Sequence, residues 1–593
     1  MRAFPHLAVT GQSLAGFGNA RPVGGSYDAC VQKPEHKHIM NKMNRRQWGQ
    51  NVLAIGAQLG LGSVGLPLRA VAMGGATSAA ALAGMMTEDA YAAQAEEHVP
   101  NLVVGTGYGG SVTALRLAQQ GQRVTMLEMG RLWNTPGKDG KVFCKPFSPD
   151  ERAMWFKDRI TAVFSTVAGI IPVSSLLKVP VAAGILDVVS SPNMDVYLGR
   201  GVGGGSLVNL AMLITPYRET LQRILPSSID VNELYNVYYP RAMAGLKGNK
   251  IRPEYFQTSA YHRYARVACA QAAKAGIPWR TLDSGYDMAY MEQEEAGTVP
   301  KSALGSEGGF GNNYGKSSLD KNYLAEAVGT GLVRIQPLTE VTSIARAADG
   351  RYMVSTKQID VSGNVLATKV ISCDRLFLGG GSIGTTQLLV KARATGTLPN
   401  LNEHVGTRWS SNGEIFMVRN VYTPTGAKTS VLPCTGIDAL DHRGQQVYSM
   451  NICMPLGIDT FSTAHITMTQ TPELGHFNYD AQAQKAVLQW SSTAKNEPTT
   501  SARTVYDRIN KANGATYNKS WFGGKTVGDT ATYHPLGGCP IGLATNDVGE
   551  VKGYPGLYVM DSSLFPDSLV ANPALSTTAM AERNIERIIA QMH

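Results

Sequence analysis

Dense runs of lysine and arginine are missing from this sequence, and with them the usual footprint of a nucleic-acid partner. Its 54 basic and 45 acidic residues are scattered, so the formal net charge of +9 describes a mildly basic surface. Paired cysteines are missing too. The seven cysteines, at positions 30, 144, 269, 373, 434, 453 and 539, form no C-x-x-C pair, which excludes a zinc ribbon, and their wide spacing argues against a disulfide scaffold. The apolar stretch 52–68 is too rich in glycine, and too soon interrupted by Arg69, to make a good membrane span. Around His534 no histidine or carboxylate stands at ligand spacing, so no metal site is expected. Disorder is not expected over most of the chain either. With 593 residues, 43% of them hydrophobic, it can bury a large core, and its length predicts more than one structural domain.

The first hundred residues have a different character. Asn44-Arg-Arg-Gln-Trp-Gly49 precedes the apolar stretch, and small residues follow it up to Ala90-Tyr-Ala92 and Ala93-Gln-Ala95. A basic start, an apolar middle and A-x-A sites describe an export signal over 1–95, and the paired arginines point to the twin-arginine route, which carries folded proteins. A chain that folds before export has no need of bridging cysteines. An amphipathic or membrane-anchoring helix is the alternative reading of this segment. The residues before Met40 and Met43 resemble neither signal nor domain, so translation from either methionine fits.

Glycine is what the sequence has in meaningful clusters. Leu102-Val-Val-Gly-Thr-Gly-Tyr-Gly-Gly-Ser111 reads as a buried strand entering a helix, with Gly105, Gly107 and Gly110 in G-x-G-x-x-G spacing. Such glycines serve a tight turn, close approach of backbone to pyrophosphate, and packing of helix on strand. The helix start aims unpaired N–H groups at phosphate. The next strand ends in Glu128, placed where a ribose hydroxyl needs an acceptor. This unit predicts a dinucleotide without choosing between nicotinamide and flavin. Gly199-Arg-Gly-Val-Gly-Gly-Gly-Ser-Leu-Val-Asn209 favours flavin, because its glycines let a second length of main chain lie against a flat ligand.

Between residues 341 and 378 the pattern is a strand meander with turns at Asp349-Gly350 and Ser362-Gly-Asn364. Its last strand runs into Gly379-Gly-Gly-Ser-Ile-Gly384 and a helix over 385–392. Here a rival reading arises: Gly380-Gly-Ser382-Ile-Gly384 matches the G-x-S-x-G elbow of α/β-hydrolases, with Asp438 and His534 in the expected chain order as acid and base. A hydrolase leaves the 105–128 unit and the 199–209 loop without a purpose, whereas one flavin uses all three segments. His534 itself, in Thr532-Tyr-His-Pro-Leu-Gly-Gly-Cys539, suits a proton acceptor beside a cofactor, since a neutral imidazole can position an alcohol and take its proton. The tail 574–591 carries an amphipathic helical pattern whose positive N-terminal end would favour charge on a reduced flavin.

Taken together, the N-terminal glycine motif, the 199–209 loop, the 379–384 turn and the pairs Tyr533-His534 and Asn572-Pro573 resemble the glucose-methanol-choline (GMC) oxidoreductases. The stretches 126–134, 297–304, 394–401 and 507–514 are similar to cholesterol oxidases of the non-covalent FAD type, and the likeness runs from about residue 100 to the C-terminus. The resemblance implies an α/β fold, with a Rossmann-like FAD-binding domain assembled from 96–133, 316–407 and 549–593 and a sheet-based substrate-binding domain from 134–315 and 408–548. It implies that FAD is held by Gly105, Gly107, Gly110, Glu128 on the adenosine ribose, Val341 on the adenine, Gly201, Gly205, Asn209, Asp561 and Pro573, with His534 and Asn572 catalytic. Met212 is retained and expected in the same cavity. The activity implied is oxidation of a 3β-hydroxysteroid by O2 to the ketone and H2O2, followed by isomerisation of the 5-ene. A GMC dehydrogenase acting on another bulky alcohol with a different acceptor, and a catalytically silent sterol or flavin binder, are the alternatives. The partners expected are a sterol, O2 and transiently a membrane surface; no oligomeric state is specified.

The sequence also departs from the pattern of that family. Met450 stands where a glutamate is expected to move the sterol proton, while Glu414, in Asn412-Gly-Glu-Ile-Phe416, stands where the family has an asparagine. One expectation is therefore that Glu414 is the isomerisation base, its pKa raised by an apolar pocket; the other is that it pairs with an arginine such as Arg419. Ala574 replaces an aromatic after Asn-Pro, which widens the route to the ring, and apolar residues over 164–186 include candidates for a lid.

Overall fold

The computed structural model describes residues 98–146, 148–161, 166–167, 171–172, 177–454 and 459–592. The export signal and alternative starts lie outside the described residues, as do 164–165, 168–170 and 173–176 of the lid candidate. Among the described residues no helix is long and apolar enough to cross a membrane, and the six described cysteines are all free.

The fold is α/β. One sheet holds seven strands, in chain order β1 (His98–Val104), β2 (Val124–Leu127), β3 (Val333–Gln336), β4 (Thr339–Arg346), β5 (Tyr352–Ile359), β6 (Val365–Leu378) and β7 (Leu557–Val559). Its order is β3-β2-β1-β6-β5-β4, with β7 on β6. The parallel part is β3-β2-β1-β6-β7, and there β2 and the inner end of β6 are buried at every residue rather than at alternate ones. The two expected strands at 370–371 and 376–378 are one continuous strand. β6 changes neighbours along its length: residues 365–373 pair with β5, while Leu376–Leu378 lie between β1 and β7. Its outer half is exposed because only its inner half enters the parallel core.

Three helices carry the ligand-facing loops: α1 (Tyr108–Gln119), α2 (Gly381–Ala394) and α3 (Pro573–Ala590). α2 begins four residues before the expected start, at Gly381, whose φ of +77° glycine tolerates as the chain turns into the helix. α3 is tied to α1 by Arg116, whose Nε and Nη2 each lie 2.7 Å from the fully buried Glu582, and Tyr323 donates to the same carboxylate at 2.8 Å.

The second sheet has six strands in the order Thr516–Tyr517, Ile415–Asn420, Ser462–Met468, Gln446–Ile452, Thr435–Leu440, Trp279–Thr281. It is antiparallel throughout, and its side chains alternate between two surroundings. Phe416, Met450, Ile452 and Ile466 join one apolar cluster, while Met417, Ile437 and Val447 join another under the helices Arg263–Lys274 and Asn496–Asn513. Strands from 96–133, 316–407 and 549–593 thus build the first sheet, and strands from 134–315 and 408–548 the second.

Gly109 shows how tightly the C-terminal segment is seated. A Cβ there would fall 1.5 Å from the carbonyl oxygen of Met560, whose own N–H is held by Leu378 at 2.8 Å. Replacing Gly109 by alanine should therefore cost about 3 kcal/mol or more in urea unfolding. Gly329→Ala, at an exposed helix end with no atom within 4 Å of the new methyl, should be neutral or stabilising by up to about 1 kcal/mol.

Candidate active site

A cavity of about 710 Å³ runs from the glycine loops of the first sheet to the inner face of the second. At one end its wall is main chain. A Cβ on Gly107 would approach nothing closer than 3.9 Å, and one on Gly205 nothing within 4 Å, so both glycines leave the space in front of them open. Gly105, with φ +89°, does the opposite job: a Cβ there would lie 2.4 Å from the Gly379 carbonyl, which brings the first and third glycine segments into contact. α1 makes its first helical bond from Ser111 N to Gly107 O, leaving the N–H groups of Tyr108, Gly109 and Gly110 without helical partners at this wall. Backbone donors at a helix start beside open glycines suit a pyrophosphate, so the cradle fits an extended dinucleotide.

The loops are joined by side chains that the spacing argument passed over. Thr106 donates its hydroxyl to Glu128 Oε2 at 2.7 Å and accepts from Gly203 N at 3.0 Å, linking the first loop to the second. Glu128 lines the cavity, receives N–H bonds from Thr106 and Gly130, and is pushed up in pKa by burial. Asp561, likewise raised by burial, accepts from Gly381 N at 2.8 Å and Thr385 Oγ1 at 2.5 Å, seating the start of α2. Asn209 donates to Tyr108 Oη at 2.6 Å. Val341, Met212 and Pro573 line the cavity as expected. Gly110 and Gly201 do not. The first packs against the Gly105 carbonyl and the second against the Trp133 ring, so both support the loops from behind and neither faces the cavity.

At the other end the wall is apolar, with Phe416, Met450, Ile452 and Ile466 from the second sheet and Met212 opposite. His534 reaches it on a loop fixed at both ends. Ala531–Thr532 pair with Asp195 and Val196, and Leu536–Gly538 pair with Thr407–Ser410. Tyr533 stacks on Tyr197 with ring centroids 4.5 Å apart. His534 Nε2 lies 3.0 Å from Asn572 Nδ2, and Asn572 Oδ1 is buried with no partner among the described residues. An amide N–H directed at Nε2 assigns the ring proton to Nδ1, which lies 3.1 Å from Glu414 Oε2.

Glu414 is where the structure corrects the sequence reading. It is fully buried, lies behind His534 instead of lining the cavity, and its Oε2 accepts from Thr532 Oγ1 at 2.7 Å and Tyr533 N at 3.0 Å. Burial alone would push this carboxyl up. The charge and hydrogen bond of His534, with Thr532 and Lys495, outweigh burial and hold it below the ordinary range. The expected raised pKa is therefore absent, and the carboxylate points at the imidazole rather than at a substrate. It does not pair with Arg419 either, whose nearest partners are Asn510 and Gln271. Lys495, buried and drawn down to about 8 by desolvation, donates to the Glu414 backbone carbonyl.

The hydrolase reading fails on the same geometry. Ser382 donates to the Gly537 carbonyl at 2.8 Å, and Asp438 is bound to Arg280 at 2.8 Å and to Tyr217, so neither forms a relay with His534. Asn412 is a residue that sequence reasoning missed. With φ +59°, it accepts from Ser568 Oγ, Leu569 N and Val570 N and donates to Ala571 O at 2.8 Å, gripping the loop that delivers Asn572. Val570 in that loop has φ +53°, a strained conformation for a β-branched residue. The Asn-Gly dipeptide at 412–413 was the available signal.

Residues 412–523 match the family described as "GMC oxidoreductase, C-terminal". The chain is 26% identical over 561 residues to a cholesterol oxidase of Mycobacterium tuberculosis, covering 81% of this chain and 89% of that one. Through this match and this relative the chain is similar to the GMC oxidoreductases. A cholesterol oxidase of Acinetobacter baumannii is 22% identical over 585 residues, covering 83% of this chain and 94% of the relative. Among solved structures, pyridoxine 4-oxidase from Mesorbium loti and a fungal aryl-alcohol oxidase share the fold, each with a TM-score of 0.57 and 12% identity over 84% of this chain and 100% of theirs. GMC oxidoreductases are generally flavoproteins that act on alcohols.

Glu414→Gln tests the placement of the carboxylate. At neutral pH the variant should lose about 1–3 kcal/mol, because the charged acceptor of Thr532 and Tyr533 becomes a neutral one and a new amide N–H2 is buried in its place. The folded carboxyl titrates below its unfolded value of about 4.3. Its stabilising contribution is therefore complete above that value and is lost as pH falls through the folded pKa. Thermal midpoints of the wild type should accordingly fall more steeply on acidification below about pH 4.3 than those of the variant.

Proposed function

We propose that this protein is an FAD-dependent oxidase of bulky apolar secondary alcohols, with a 3β-hydroxysteroid such as cholesterol as substrate and O2 as acceptor. The observation that carries the reading is the facing pair His534 and Asn572 at the apolar end of a cavity whose other end is a dinucleotide cradle. The two relatives named cholesterol oxidase support the substrate class. FAD, when bound, supplies the acceptor for the carbinol hydride and passes the electrons to oxygen. The overall balance is R2CHOH plus O2 giving R2C=O plus H2O2.

The chain's own part is to hold the hydroxyl and move its proton. With Nδ1 protonated toward Glu414, His534 offers Nε2 as the acceptor for the alcohol proton once the hydroxyl displaces the Asn572 amide from it, and that amide then donates to the alcohol oxygen. As the imidazole gains charge, Glu414 offsets it, which is the electrostatic service a buried carboxylate renders a catalytic histidine. Phe416, Met450, Ile452 and Ile466 exclude water and take the apolar body of the substrate. Ala574 leaves room beside Pro573 for the ring-facing end of the substrate. Export by the twin-arginine route and brief contact with a membrane surface, where sterols dissolve, complete the reading.

Isomerisation of the 5-ene enters this proposal in altered form. Glu414 faces His534 and Met450 carries no proton, so the ketone is expected to leave as the unconjugated 5-ene-3-one. Protein loaded with FAD and supplied with cholesterol in air should release peroxide and ketone in equal amounts without a matching rise in enone absorbance. A matching rise would assign the proton transfer to His534. His534→Gln should keep its flavin and lose about 100-fold or more in turnover. FAD-loaded protein that is not bleached by any sterol in the absence of air would overturn the substrate assignment.

A further inference from the structure

The reverse face of the second sheet buries a cation for which no counter-charge is visible. Arg419 is 1% exposed. Its Nε donates to Asn510 Oδ1 at 2.7 Å and its Nη1 to Gln271 Oε1 at 2.9 Å, both neutral amides, and Nη2 has no partner among the described residues. The Tyr506 ring lies under the guanidinium, 5.5 Å from centroid to Cζ. No carboxylate among the described residues bonds to it. A buried charge without a partner is among the costliest arrangements in a protein interior.

Arg419 also lines a separate small space of about 20 Å³, on the opposite side of the sheet from the active cavity. The strand Gln446–Ile452 shows the division: Met450 and Ile452 face the large cavity, Ser449 and Asn451 the small one. The space holds a single water-sized guest and excludes carboxylate, phosphate or sulfate. Its other polar walls are already engaged. Ser449 Oγ bonds to the Ile466 carbonyl and lies 2.8 Å from Tyr506 Oη, Asn451 Nδ2 donates to the Ala464 carbonyl, and His465 Nε2 lies 3.0 Å from Thr463 Oγ1. His465 is kept neutral by burial and by the Arg419 charge, and so adds no second cation. A water needs two to four polar partners and would leave the charge uncompensated, whereas a monoatomic anion would accept from the free Nη2 and offset the guanidinium charge at once.

We propose that this small cavity is a binding site for one halide ion, chloride in solution, held by Arg419 Nη2. The ion would complete the packing between the sheet and the helices Arg263–Lys274 and Asn496–Asn513. It would thereby brace, from behind, the strands that floor the active cavity.

Crystals of the full-length protein exchanged into bromide should show an anomalous peak within hydrogen-bond reach of Arg419 Nη2. The thermal midpoint should rise by about 2–4 °C when a bulky anion is replaced by chloride at fixed ionic strength, and Arg419→Met should abolish that rise. A refined water, or no density, in fully exchanged bromide crystals overturns the proposal. So does a chloride dependence that survives unchanged in Arg419→Met. Should that variant not fold, the bromide diffraction decides alone.

Discussion

One carboxylate oxygen organises the reactive end of this protein. Oε2 of Glu414 gathers the Thr532 hydroxyl, the Tyr533 N–H and the His534 ring within about one hydrogen-bond length, so three consecutive residues are aimed by a single buried atom. The two short strand pairings on either side of His534 set where the loop runs, and Glu414 sets which way the imidazole faces. A carboxylate in that place does by position what a flexible loop could not do by composition. With Nδ1 of the ring 3.1 Å away, it stands where, on the proposed function, it would favour one tautomer and answer the charge of an imidazole that takes a proton.

The cofactor end follows a different logic. There the wall is backbone, and the side chains around it, Thr106, Glu128 and Asp561, spend their hydrogen bonds on joining one glycine loop to the next. The result is a cradle assembled from parts of the chain hundreds of residues apart, each too small to bind alone. Half-buried Arg116 and buried Glu582 then tie the first of the three helices to the last, behind the cradle.

Much of this was legible in the chain itself. Gly105, Gly107 and Gly205 could be read because glycine is demanded wherever backbone must approach backbone or ligand, and the demand leaves a fixed spacing. His534 and Asn572 could be read because each sits in a distinctive local setting. The function of Glu414 could not, since what decides between an isolated acid in an apolar pocket and a partner of histidine is a contact spanning 120 residues. Gly201 was misjudged for a similar reason: a glycine-rich loop announces close approach without saying on which side. The single long strand β6 was also hidden, because its polar outer half and apolar inner half look like two elements until its change of neighbours is seen.

Asn412 carries a lesson for anyone who would rebuild this scaffold. Its amide holds the peptide run 568–571 in a shape that Val570 would abandon if left to itself. The run belongs to the terminal part of the chain and the grip to the turn that leads into the second sheet at Ile415. A chimera that swapped the substrate-facing half for that of another relative would carry off the clasp and leave the spring, and Asn572 would relax out of line before any chemistry could be asked of it.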